Sequence, residues 1–307
     1  MIHMILAGKI LSLFLIMLLG YAMVSSGLLR AADSKVLSLI SLYLVMPCVI
    51  LSSFQVEFSS EVLEGLLLAL AAAVLLHAGL IVLTEIFGKV LHLDPVEKDS
   101  LVYSNAGNLI IPIVTSVLGP EWVIYSSAFL SVQLFLLWSH GKQVLCGEKG
   151  LDLKKLLPNI NMLAILVGVL LFVFRIQLPS LLEDAVDSVS AMVGPLAMII
   201  LGMLIASMNL KRLLQYRRLW WVTLLRLVVL PLICMCFLKF SGLAGVLPEG
   251  KTILLISLLA VCTPSASTIT QMAQVYGKDA DYASAINVTT TIFCIVTMPL
   301  MVALYQL

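Results

Sequence analysis

The sequence predicts an all-α polytopic membrane protein of about ten transmembrane helices, folded as two inverted five-helix repeats in which helices 4 and 9 are broken. Three observations predict it. Of 307 residues, 61% are hydrophobic and only 11% are charged, against roughly a half and a quarter in soluble domains. A bilayer core of ~30 Å needs about 20 apolar residues per helix, and the chain offers ten such runs, near 5–27, 34–55, 62–88, 98–118, 121–141, 158–175, 188–208, 219–240, 250–276 and 280–304. The most polar loop lies near the midpoint, with Glu148, Lys149, Asp152, Lys154 and Lys155. It leaves five runs on each side, so the second half enters the membrane from the opposite face. The repeats therefore take residues 1–142 and 158–307, joined by a linker over 143–157.

Taken in order, the first run is a retained span rather than a secretory signal, because its apolar stretch is too long and its only early charges are His3 and Lys9. Asp33 is placed to cap the second run, which carries Pro47 late in its course. The third is long enough to hide a kink. Within it His77 reads as a deep neutral imidazole, with a proton relay as the alternative, and Glu85 as the partner of Lys89 four residues on. Asp94-Pro95-Val96-Glu97 supplies an N-cap, a proline at the first helical position and a capping-box glutamate for the fourth run. Gln133 lies midway along the fifth run, Pro195 inside the seventh and Arg226 about two turns into the eighth. Asp279 caps the tenth, which contains Asn287, Thr289, Thr290 and Thr291.

The fourth and ninth runs share a pattern. Each carries a polar, helix-breaking interruption and then ends in a glycine turn, Leu118-Gly119-Pro120-Glu121 and Tyr276-Gly277-Lys278-Asp279. In the fourth, Asn105, Gly107, Asn108 and Pro112 fall within eight positions. Pro112 has no N–H and clashes with the preceding turn, which frees carbonyls near Asn108. In the ninth, Thr263-Pro264-Ser265-Ala266-Ser267-Thr268 sets a proline among hydroxyl residues. A helix restarted there offers backbone N–H groups and a positive dipole end to an anion. Back-bonding of Ser265, Ser267 and Thr268 to their own helix is the structural alternative. Gln133 and Asn287 can wall the same site, and Ser52 and Ser53 after Pro47 can face it from a second domain. Arg226 either bonds carbonyls of the broken helices or snorkels toward the inner surface.

Charge excludes other classes. With 18 Lys and Arg against 17 Asp and Glu the chain is nearly neutral, and no basic footprint for nucleic acid is present. Thirteen of the 18 basic residues fall in alternate loops that thereby become cytoplasmic, four in the opposite set, and Arg226 within a span, so both termini are expected outside the cytoplasm. The six cysteines lie mostly in apolar runs without spacing suited to zinc or a disulfide framework, and read as buried small hydrophobes. No metal or cofactor is expected. An intramembrane enzyme built on Cys262, His77 or His140 finds no accompanying catalytic motif, so the chain is read as a non-enzyme. No deep Asp or Glu is evident, which leaves a proton-coupled pump without an obvious relay.

Leu44 to Ser53 with Pro47 at its centre, Ser104-Asn105-Ala106-Gly107-Asn108 leading to Ile111-Pro112, Leu225-Arg226 leading to Pro231, and Thr263-Pro264-Ser265-Ala266-Ser267 followed by Tyr276-Gly277 together resemble the auxin efflux carrier family, which includes bacterial permeases proposed for malate and related acids. The resemblance covers nearly the whole chain. It implies that helices 4 and 9 cross where they are broken, that helices 1, 2, 6 and 7 form a scaffold and a dimer interface, and that helices 3–5 and 8–10 form a moving transport domain. It further implies elevator-like, alternating-access transport of small organic anions across the cell membrane. The sodium–bile acid symporters are the neighbouring alternative, and a ligand sensor with a transporter fold is a third reading.

Overall fold

The structure, a computed structural model, describes residues 2–55, 58–147, 160–206 and 216–307. Most of the 143–157 linker therefore lies outside the described residues, as do the side chains of several helical positions, Asn108 among them. The described residues form helices and no strands. They are α1 Ile2–Ser25, α2 Ala31–Ser53, α3 Ser60–Leu91, α4 Pro95–Val102, α5 Ala106–Val117, α6 Pro120–Leu145, α7 Ile160–Val173, α8 Ser180–Ser190, α9 Val193–Ala206, α10 Arg217–Phe240, α11 Gly250–Cys262, α12 Ser267–Val275 and α13 Ala280–Gln306. Five of them, α2, α3, α6, α10 and α13, are long and apolar enough to cross a bilayer, and shorter apolar helices accompany them. The chain is thus an all-α polytopic membrane protein.

Local chemistry explains most boundaries. Asp94 accepts the Glu97 N–H at 2.8 Å while Glu97 accepts the Asp94 N–H at 2.9 Å, so the capping box forms as the sequence demands. Asp279 likewise accepts the Tyr282 N–H at 2.8 Å and starts α13. Asp33 behaves otherwise. Its carboxylate accepts the Arg30 N–H within a tight turn and makes no side-chain cap on the second span. The third span is continuous: α3 runs 32 residues, about 48 Å at 1.5 Å per residue. Pro47 and Pro231 each follow a π turn, Ser41–Val45 and Leu225–Val229, and α2 and α10 continue through both prolines.

The chain divides into two compact units. The first comprises Met1–Leu63, Gly107–Ser127 and Leu157–Asn209, and the second Glu64–Ala106, Ala128–Leu156 and Leu210–Leu307. In the first, α1 and α9 touch backbone to backbone: a Cβ at Gly20 would collide with the Ile199 carbonyl, and one at Gly202 with that of Met17. Small residues let helices approach this closely where lipid supplies no hydrophobic drive. A Cβ at Gly168 on α7 would likewise meet the Phe54 ring. In the second unit α11 is buried along most of its length, from Ile253 to Cys262. Large apolar side chains elsewhere face outward, such as Val36, Leu39 and Tyr43 on α2 and Leu67, Val74 and Val82 on α3. Such faces suit contact with lipid chains.

Candidate functional site

Both spans expected to break do break. α4 stops at Val102 and α5 begins at Ala106; α11 stops at Cys262 and α12 begins at Ser267. The first break lies at Tyr103–Asn105, upstream of Pro112, which α5 carries inside its helix. In the second, Pro264 sits in the break itself. The two extended stretches pair as one antiparallel rung between Ser104 and Ser265, the Asn105 N–H donating to the Pro264 carbonyl at 2.8 Å and the Ala266 N–H to the Tyr103 carbonyl at 3.0 Å. Four main-chain groups that lose helical partners are thereby satisfied.

The serines at the centre of the rung are both held by side chains. The Ser104 N–H and hydroxyl both donate to Gln133 Oε1, at 3.1 and 2.6 Å, and Gln133 Nε2 donates back to the Ser104 carbonyl at 2.9 Å. The Ser265 N–H donates to Thr290 Oγ1 at 3.1 Å, and Asn287 Nδ2 donates to the Ser265 carbonyl at 2.6 Å. Gln133 and Asn287 are each buried.

Arg226 is fully buried. Its guanidinium donates to the carbonyls of Leu101, Val261 and Thr263 at 2.9 to 3.0 Å. These carbonyls end α4 and α11, whose dipoles place partial negative charge there. The deep arginine thus holds both broken ends and does not snorkel. Thr263 back-bonds to the Ala260 carbonyl, whereas Ser265 Oγ is buried without a partner among the described groups. Ser267 donates to Asn105 Oδ1 at 3.4 Å. It opens α12, whose N-cap, Ala266, has no side chain able to take up the first N–H groups. Thr268 follows half-buried in the same turn.

The structure gathers Asn105, Thr263, Pro264, Ser265, Ser267, Thr268, Gln133, Asn287 and Arg226 in the second unit, while Gly107, Asn108, Pro112, Pro47, Ser52 and Ser53 belong to the first. Within that first unit an open cavity of about 630 Å³ is lined by Ser52, Ser53, Pro112, Thr115, Glu121 and Asp187, among others. Ser52 donates to Asp187 Oδ1 at 2.6 Å, and Ser53 Oγ lies 3.2 Å from Ser127 Oγ. Gly107 lies against the Met46 side chain, and Pro47 is buried without lining the cavity. The carboxylates on this wall are Asp187 near the end of α8 and Glu121 in the first turn of α6; the sequence singles out Glu121 only as part of a glycine turn, and Asp187 not at all.

Several other expectations change. Glu85 pairs with Lys98 at 3.0 Å, not with Lys89. His77 does not change: it is deep as expected, fully buried, with Nδ1 at 2.8 Å from the Ala73 carbonyl and its ring against Phe129. Cys234, Cys262 and Cys294 are buried, but Cys236 is exposed. Two carboxylates at the start of α4, Glu97 and Asp99, are both buried. Glu97 accepts Arg218 Nε and Nη2 at 2.8 and 2.7 Å and the Tyr282 hydroxyl at 2.8 Å, in addition to its cap bond. Beside it, burial pushes the Asp94 carboxyl up, against the pull of the Glu97 N–H. A family model described as membrane transport protein matches residues 5–151 and 149–302 of the chain. No curated protein matches it.

Proposed function

The chain belongs to the membrane transport protein family, the auxin efflux carriers and their relatives, and from that premise we propose that it carries small organic anions, such as malate or auxin-like acids, by alternating access. The bridged break in the second unit is the observation that carries the reading. There α12 begins at Ser267, whose hydroxyl donates to the Asn105 amide oxygen. A carboxylate is bound by such groups without a lysine or arginine, because the dipole at a helix start favours negative charge. Asn105 orients the substrate. Gln133, Asn287, Thr263, Pro264 and Arg226 hold the main chain in its broken form.

The same reading assigns the first, second, sixth and seventh spans to a scaffold that dimerises. The remaining helices form the unit that moves, elevator fashion, in a plasma or bacterial inner membrane with both termini outside. Uptake of labelled mono- and dicarboxylates into proteoliposomes tests it. Wild-type protein is expected to give saturable flux, and Asn105→Ala to lower kcat/KM by about 10- to 100-fold, the effect of losing one or two charge-assisted hydrogen bonds, while Ser267→Ala, which keeps its N–H but loses the hydroxyl that holds Asn105, lowers it by less. Unchanged flux in both variants and in Ser265→Ala removes the site.

A further inference from the structure

Glu97 and Asp99 stand two residues apart on α4 and are equally buried, at 0% and 1% exposure, yet their surroundings differ completely. Glu97 has four donors: two from Arg218, the Tyr282 hydroxyl and the Asp94 N–H. Neither oxygen of Asp99 has a hydrogen-bond partner among the described residues. An ionised carboxylate buried without a donor or counter-cation is heavily penalised, and the neutral acid is the form that such surroundings accept.

The cations nearby are committed elsewhere. α4 packs against α10, α12, α13 and the end of α6. Lys98, on α4 itself, donates to Glu85. On α10, Arg218 serves Glu97, Arg226 serves three carbonyls and Arg217 is exposed. Lys142 on α6 holds its ammonium 5.9 Å over the Tyr276 ring that follows α12. On α13, Tyr282 bonds Glu97 and Asp281 is exposed. One turn beyond Asp99, the Tyr103 hydroxyl lies 2.9 Å from Nδ1 of half-buried His140. What these elements do turn inward are hydroxyls without partners, Ser100 on α4, Thr223 on α10 and Thr270 on α12. No group of His, Cys, Asp and Glu that could hold a metal ion gathers among the described residues.

We propose that Asp99 is a proton-carrying site of the second unit, taking up one proton with each anion and releasing it on the other side of the membrane. The chemistry balances simply: the carboxylate plus a proton gives the neutral acid, and deprotonation after reorientation restores the carboxylate. The coupling rests on the transport reading above. For a monoanion the loaded unit then moves no net charge, so its flux responds to pH gradients and not to voltage.

Infrared difference spectra of the purified protein in lipid test protonation without any substrate. A protonated-carboxyl band is expected at neutral pH, shifted by transfer to heavy water and missing from Asp99→Asn. Absence of the band, or a band that heavy water does not shift, overturns the proposal. Proteoliposomes given labelled lactate and malate test coupling. A pH difference of about one unit sustains about tenfold accumulation of the monoanion in wild type and in Asp99→Glu, and none in Asp99→Asn, which still exchanges substrate at equal pH. Retained pH-driven accumulation in Asp99→Asn overturns the proposal, and so does a requirement of wild type for a sodium gradient in its place. If wild type moves no acid at all, the transport reading fails, while the infrared result still decides whether Asp99 binds an exchangeable proton.

Discussion

At the scale of the residue, Arg226 shows how one side chain stabilises two broken helices. Its three bonds reach carbonyls 125, 35 and 37 positions away in sequence. Removing the guanidinium strands these buried acceptors, each worth about 1–3 kcal/mol when left unmet. Arg226→Met is therefore expected to lower stability by roughly 3–5 kcal/mol, after allowance for the desolvation the charge itself suffers. Arg226→Lys restores only part, because a single ammonium cannot span both helix ends as the planar fork does. Thermal unfolding in detergent, followed by intrinsic fluorescence, measures both. The depth of Arg226 was readable from its apolar neighbours, but its partners were not. Nothing local to Leu225-Arg226-Leu227 says that Leu101 and Thr263 lie beside it. Gln133 and Asn287 were likewise readable as polar residues at depth, and only the fold could reveal that each clamps a serine of the opposing pair.

Among the elements, the legible ones are those whose cause is local. The Asp94 capping box and the Asp279 cap depend on residues within three positions, and both form. The break in the ninth span coincides with Pro264, a local cause again. The break in the fourth span has no proline at Tyr103–Asn105, and its cause is the distant main chain of Pro264–Ala266, so attention falls too readily on Pro112. Glu85 misleads for the same reason, since Lys98 reaches it from the next helix. The contact of α1 with α9 yields a prediction on this scale. Gly202→Leu forces a side chain into the Met17 carbonyl, where backbone cannot yield. Overpacking of this kind costs about 1–3 kcal/mol or more. Gly242, at φ +76 but with open space around its Cβ position, makes the comparison. Gly242→Asn, tolerated in that conformation, is expected to change the midpoint of thermal unfolding little, and Gly202→Leu to lower it or to abolish recovery of folded protein.

For the molecule as a whole, the distribution of basic residues sets an orientation that chemistry can read. In a background with cysteines replaced by serine, a cysteine at Lys278 is expected to react with a membrane-impermeant maleimide only in inverted vesicles, and one at Gly242 only from outside intact cells. Both positions are exposed. The reverse pattern inverts the assignment of both termini. The single rung between Ser104 and Ser265 has a longer reach than its two hydrogen bonds suggest. Neither break can close into a continuous rod without orphaning main chain in the other. Evolution of one stretch is thereby yoked to that of its partner, and mending either fracture would demand a simultaneous repair more than 150 positions away.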